Sequence, residues 1–244
     1  MVGPIPVPPP FLPRLHTLDL GTEGSDDILP HLVLPALDDL RLSSVTSDTV
    51  QAVTALIHRS GRSPTSLFVS IYGSHEVEPM HDLISRMPSV RNLRILCAGV
   101  TSAHFTALFD YMAQDPYILP ALTSFIIEEC CTQIPLRPLV RMLTARSSPT
   151  EGVVRLNSFT LSFHQEYNDD YAEVDMKAQN EDVGLALEQL RALRSEGLQL
   201  HIQSSMKWLS GNITEKMIEE IGEVRARVIP LERPDNTGRI WPQA

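Results

Sequence analysis

One spacing of apolar residues, L-x-x-L-x-L, recurs along most of this chain and restricts what it can fold into. Leu34–Leu42, reading LPALDDLRL, spells it most fully, with Leu37, Leu40 and Leu42 at the three apolar positions. Leu40, Arg41 and Leu42 alternate, so a strand here turns two leucines to one face and an arginine to the other. Pro35 holds the residue before it extended, which makes the unit a short strand with a fixed entry. The same spelling returns as Leu15, Leu18, Leu20, as Val90, Leu93, Ile95, as Leu122, Phe125, Ile127 and as Leu156, Phe159, Leu161. A looser copy has Pro64 in the first position before Leu67 and Val69, and a further strand is expected in Leu198–Ile202. Between Leu18, Leu40, Leu67, Leu93, Phe125 and Phe159 the steps are 22, 27, 26, 32 and 34 residues, so the period drifts while the unit is kept.

The stretches between these strands carry helical periodicity. Ser47–Gly61 places Val50, Val53, Leu56 and Ile57 on one stripe, with Ser47 or Asp48 as the expected cap and Gly61 as the stop. Glu78–Met87 does the same with Met80, Leu83, Ile84 and Met87, ahead of Pro88. Thr101–Asp115 follows with Phe105, Leu108, Phe109 and Met112, and Leu136–Arg146 with Leu139, Val140 and Leu143, Arg141 and Arg146 being assigned to the solvent side. Asp182–Glu196 aligns Val183, Leu187, Leu190 and Leu193 before Gly197.

Alternating strands and helices fit a doubly wound sheet, a barrel or a stacked solenoid. The repeated spelling favours the solenoid, because it specifies the same strand entry and the same core contacts in every unit. No glycine-rich turn follows a strand, which counts against a dinucleotide-binding sheet. The expected fold is therefore α/β, an irregular solenoid with a curved parallel sheet on its concave side and helices on its convex side. The organisation read from the sequence is a proline-rich segment over 1–13, a repeat domain over 14–210 with an acidic insertion at 164–182, and a C-terminal helix and tail over 211–244. That last helix would carry Met217, Ile218, Ile221 and Val224, with Trp241 as the anchor of the tail.

With 20 Lys and Arg against 30 Asp and Glu, the formal charge of −10 removes the phosphate attraction behind most nucleic-acid binding and disfavours an anionic membrane surface. No apolar run approaches the roughly 20 residues of a bilayer span. The amino terminus MVGPIPVPPPFLP has no basic region followed by a continuous apolar one, so no secretory signal is read there. Cys97, Cys130 and Cys131 are too few for a disulfide framework, and a reducing interior, cytoplasmic or nuclear, is expected.

The pattern LPxLxxLxL followed by a helix of variable length resembles the leucine-rich-repeat region of F-box proteins, in particular the divergent fungal sets with irregular repeats. Cys130 stands where the cysteine-type consensus, counted from Leu122, expects it; Glu23, Val45, Ala98 and His164 hold that place in the other four clear repeats. The resemblance covers about Leu12 to Leu209. It implies that the repeats hold a protein substrate while a separate F-box recruits the ubiquitin-ligase core. The thirteen residues before Arg14 are too short for an F-box, so a ligase link is expected only with an upstream one. An uncovered first repeat would expose a few hundred Å² of apolar surface, a cost of roughly 10 kcal/mol at ~25 cal/mol per Å². Either Val7, Phe11 and Leu12 fold over it or upstream sequence does.

On the strands, the positions that alternate with the core form a ladder available to a partner: Thr17, Asp19, Asp39, Arg41, Asn92, Arg94, Ser124, Ile126, Ser158 and Thr160. Arg41 and Arg94 are its strongest anchors, arginine being over-represented at interfaces. Any solvated strand face offers such residues, so each one singly is as well explained by exposure. No cofactor and no metal are expected: His75 and His81 with Glu76 and Glu78 match no ligand spacing, and Pro79 interrupts them. Cys130 and Cys131 lack CxxC spacing and read as buried thiols, and Asp169, Asp170, Glu173 and Asp175 lack the EF-hand order. The Asn212-Ile213-Thr214 sequon means little without secretion. The leading expectation is a non-enzymatic protein-recognition module. The alternatives are a freestanding scaffold with no ligase role, and a small α/β enzyme with its site at strand ends near His75, His81 or His164.

Overall fold

The computed structural model describes residues 10–21, 25–72, 77–97, 100–130, 134–148, 150–163 and 180–204. The elements run β1 Thr17–Leu20, α1 Ser25–Ile28 with a 3₁₀ turn at Leu29–His31, β2 Asp39–Leu42, α2 Ser47–Ser60, β3 Ser66–Ile71, α3 Val77–Ser85 and β4 Asn92–Cys97. They continue with α4 Ser102–Gln114, β5 Ser124–Cys130, α5 Leu136–Ser147, β6 Ser158–Phe163, α6 Asn180–Ser195 and β7 Gln199–Ser204. The chain is α/β: its strands form one parallel seven-stranded sheet in the order β1-β2-β3-β4-β5-β6-β7, each beside its neighbour in sequence. Such an order has no reversal point of the kind a doubly wound sheet contains.

The register follows the spelling of the sequence. Leu18 stands opposite Leu40, Leu40 opposite Leu67, Leu67 opposite Leu93, Leu93 opposite Phe125, Phe125 opposite Phe159, and Phe159 opposite Leu200. Every strand thus turns the same alternate positions to one side, where Leu40, Leu67, Ile95, Ile127 and Leu161 are wholly buried in one core with the apolar stripes of the helices. Pro64, at the first apolar position of its unit, is buried like the leucines it replaces. In the last unit Gly197 holds that position at φ +102°, a conformation that glycine adopts without a Cβ clash. Between Ile127 and Cys130 the register of β5 against β6 shifts by a bulge.

The helices form over the expected stripes, with corrections at their ends. The cap of α2 is Thr46 rather than Ser47 or Asp48: its Oγ1 accepts the Thr49 N–H at 3.1 Å, while Thr49 Oγ1 accepts the Thr46 N–H at 3.3 Å. Gly61 ends α2 at φ +66° and donates to the Ile57 carbonyl at 3.0 Å. Pro79 does not interrupt α3; it lies in its first turn, where its missing N–H has no intrahelical partner to lose. At α4, the N-cap Thr101 donates its N–H to His104 Nδ1 at 3.2 Å. Helix α6 begins at Asn180, inside the stretch assigned to the acidic insertion. The rest of that insertion, the C-terminal helix with Met217 and its neighbours, Trp241, the sequon and Val7 lie outside the described residues.

The largest departure from expectation is Arg146, assigned to solvent from the sequence but only 2% exposed. Its Nη1 donates to the carbonyls of Pro116 at 2.9 Å and Leu119 at 3.4 Å, and its Nη2 to those of Ile118 and, at 3.5 Å, Asp115. These carbonyls belong to the turn that leads into β5, including the start of Leu119-Pro120-Ala121-Leu122. The other LPAL turn, Leu34–Leu37, is held in the same manner by the end of α2. Arg59 donates to the carbonyls of Leu29 at 2.7 Å and Leu32 at 3.3 Å, and Ser60 Oγ accepts the Leu34 N–H at 2.9 Å. In both turns the arginine at the helix end thus satisfies backbone carbonyls of the preceding unit that strand pairing leaves open; Ser60 accepts an amide, while its counterpart Ser147 Oγ is buried with no hydrogen-bond partner among the described residues. Burial pushes the Arg146 guanidinium down to about 10, partly offset by Asp115, so it remains charged at neutral pH.

Candidate functional site

The helices and the core occupy one side of the sheet; the alternate residues of each strand make up the open side. All ten positions expected on the ladder lie there, in two register rows. The first joins Thr17, Asp39, Ser66, Asn92, Ser124, Ser158 and Gln199. The second joins Asp19, Arg41, Phe68, Arg94, Ile126, Thr160 and His201. Short polar side chains dominate the first row, and Ser158 Oγ donates to Ser124 Oγ at 3.0 Å. The second row holds the large groups.

Arg41 and Arg94 flank Phe68 across three adjacent strands. Arg41 donates through Nε and Nη2 to Asp39 Oδ2, at 3.0 and 2.9 Å, and its Nη1 lies 4.0 Å from Asp19 Oδ2. Arg94 is engaged through the same two nitrogens, Nε and Nη2, by Glu128 Oε2 at 2.6 and 2.5 Å. Its Cζ stands 5.2 Å from the centroid of the Phe68 ring, a cation–π contact worth about 0.5–1 kcal/mol where exposed. Each guanidinium is therefore fixed by a carboxylate along one edge while its side chain stays about half exposed, 46% for Arg41 and 52% for Arg94. The carboxylates beneath them are recessed, at 23% for Asp39 and 24% for Glu128.

Phe68 and Glu128 were not among the expected ladder residues. Phe68 belongs to the looser repeat, whose proline hides the pattern; Glu128 lies one position past the L-x-L core of its unit. Counting every outward position on every strand, including the looser one, identifies both.

The histidines of the enzyme alternative are not brought to strand ends where they are described. His81 sits on α3, its ring stacked on Tyr111 of α4 with centroids 4.5 Å apart. Its Nε2 is buried with no hydrogen-bond partner among the described residues, and burial lowers its pKa against the opposing pull of Glu78. His75 and His164, with Cys131 and the acidic group Asp169, Asp170, Glu173 and Asp175, lie outside the described residues. Cys97 is a free, buried thiol. On the helical side a groove of about 470 Å³ runs between α4, α5 and α6, floored by Val140, Ala113 and Ala145 and rimmed by the Arg141–Asp110 ion pair at 2.6 Å. None of the expected site residues lines it. Among the described residues no helix is long and apolar enough to cross a membrane.

No protein-family model matches the chain, and no curated protein matches it in sequence.

Proposed function

We propose that this chain is a non-enzymatic recognition module, an irregular leucine-rich-repeat solenoid that holds a protein partner on the open face of its sheet. The observation that carries the reading is the second register row, in which Arg41, Phe68, Arg94 and Ile126 stand side by side on four consecutive strands. Aromatic and arginine side chains are the groups most often found as interface anchors, and here they are held in place before any partner arrives. The further role, as the substrate-binding region of an F-box-type ubiquitin-ligase adaptor, is supported by the resemblance of the LPxLxxLxL units alone. It requires an F-box upstream.

A photo-crosslinking amino acid placed in cells at Asn92 or Thr160, on the open face, tests the reading against the same group at Glu188 on the exposed side of α6. The expected result is a protein crosslinked from the open-face positions and not from Glu188. Its yield should fall tenfold or more when Arg41→Glu and Arg94→Glu are combined. Crosslinks confined to Glu188, or unaffected by the double reversal, overturn it.

A further inference from the structure

The chemistry of the open face narrows what that partner offers, and the inference rests on the reading just proposed. Both guanidiniums are bound along the same edge, Nε with Nη2, by a single carboxylate oxygen. A guanidinium has five N–H donors in a fixed fork, so the end carrying Nη1 stays available on each. For Arg94 no described residue takes a hydrogen bond from Nη1, and Arg41 Nη1 is ion-paired with the exposed Asp19 at 4.0 Å, beyond hydrogen-bond length, so a partner's carboxylate there competes with Asp19. Asp39 and Glu128 thus act as struts: they fix the planes of the two forks and lie deeper in the face than the forks themselves.

What reaches an incoming surface first is therefore a pair of guanidinium ends set on either side of Phe68. They stand on strands two apart, about 10 Å at the usual spacing of neighbouring strands. The next position along the row beyond Arg94 is Ile126, which gives apolar surface on that side. On the other side Asp19, 64% exposed, bounds the site with a negative charge. From this geometry we infer that the open face takes an extended acidic segment of a protein partner, with two carboxylates astride an apolar side chain. One carboxylate bonds the free end of Arg41 and the other that of Arg94, and the apolar group between them rests against Phe68, with Ile126 beyond Arg94. The chain's formal charge of −10 gives such a segment no long-range attraction. Recognition works at contact distance, through forks already oriented, and disfavours longer polyanions that would meet Asp19.

The experiment is selection of a phage-displayed random dodecapeptide library on the full chain, with counter-selection on the Arg41→Gln/Arg94→Gln protein after circular dichroism has shown that it is folded. Enriched peptides should carry two or more Asp or Glu residues around an apolar one. They should lose at least tenfold in affinity on Arg94→Gln, on Phe68→Ala, or when their own carboxylates are replaced by amides. Basic or uncharged peptides that still depend on Arg41 and Arg94 would overturn the acidic segment while leaving open-face recognition standing. Peptides that bind the double variant equally well, or no enrichment at all, would overturn the inference, and crosslinking at Asn92 and Thr160 then decides separately whether open-face recognition holds.

Discussion

Arg146 is a cation whose hydrogen-bond partners are carbonyl oxygens, and its energetics follow from that. In the folded chain it is the donor for the carbonyls of Pro116, Ile118 and Leu119; Leu119 also accepts the Leu122 N–H, but a nonpolar replacement would leave those of Pro116 and Ile118 without their donor. Arg146→Leu should cost about 3 kcal/mol, read from the urea midpoint at unchanged slope. Arg146→Lys should recover only part of this, since one ammonium cannot span the carbonyls that a fork reaches. His81 makes the pH-dependent counterpart. Its folded pKa lies below 6.5 because burial disfavours the imidazolium more than Glu78 favours it. Between pH 6.5 and that lower value the unfolded chain binds the proton more readily, so stability present above pH 6.5 falls as the solution is acidified. Replacing His81 with Phe should flatten that part of the stability–pH curve, and an unchanged slope would assign it to other groups.

At the scale of elements, the chain ends matter as much as the stripes. The reciprocal bonds of Thr46 and Thr49 begin α2, and Thr46→Ala should lower stability by about 1 kcal/mol in thermal unfolding. Gly61→Ala should cost about 1 kcal/mol or more, because its φ of +66° is strained for a residue with a Cβ. Stripes and strands were legible in the sequence because burial imposes a period on them: Leu40 and Leu42, or Phe105, Leu108, Phe109 and Met112, announce a face without reference to anything distant. The Thr46 cap was misread by one residue since several polar side chains in a row can each start a helix. Arg146 was misread because helical spacing places it beside Arg141 in chemistry but not in surroundings. Only the turn before β5, some 30 residues earlier in the chain, determines that it is enclosed. Arg-Ser ends α2, α5 and α6 alike, yet Arg194 and Ser195 of α6 are exposed, so the dipeptide does not by itself mark that contact. Of the open face, the alternation announced the ladder, while the pairing of Arg94 with Glu128 and Phe68 depends on register between strands.

Across the whole molecule each unit is joined mainly to the units before and after it, through adjacent strands and successive helices. Stability in such an arrangement is close to a sum of unit and neighbour terms, and an end lacks one neighbour. At β1, the edge strand of the described sheet, Leu15 and Leu18 are only partly buried, and Phe11 and Leu12, expected with Val7, or else upstream sequence, to cover the first repeat, are themselves 62% and 42% exposed, although Phe11 bridges to Val33. Leu18→Ala should therefore cost about 1 kcal/mol, against about 3 kcal/mol for Leu40→Ala one strand further in, which is wholly buried. Amide exchange should likewise be faster in β1 than in β4, with equal protection counting against an end effect.

Up to the bulge after Ile127, the register of the two rows also holds while the distance along the chain from one strand to the next grows from 22 residues between Leu18 and Leu40 to 34 between Phe125 and Phe159. Length is thus decoupled from alignment: extra residues are taken up beside the sheet, and the rows of the open face stay in step. Each strand contributes one column to the open face, and its backbone alignment is untouched by a side-chain change in the next. The side chains are tied across columns, Arg94 to Glu128 and Phe68, Ser158 to Ser124, so such a surface is retuned in linked pairs of columns.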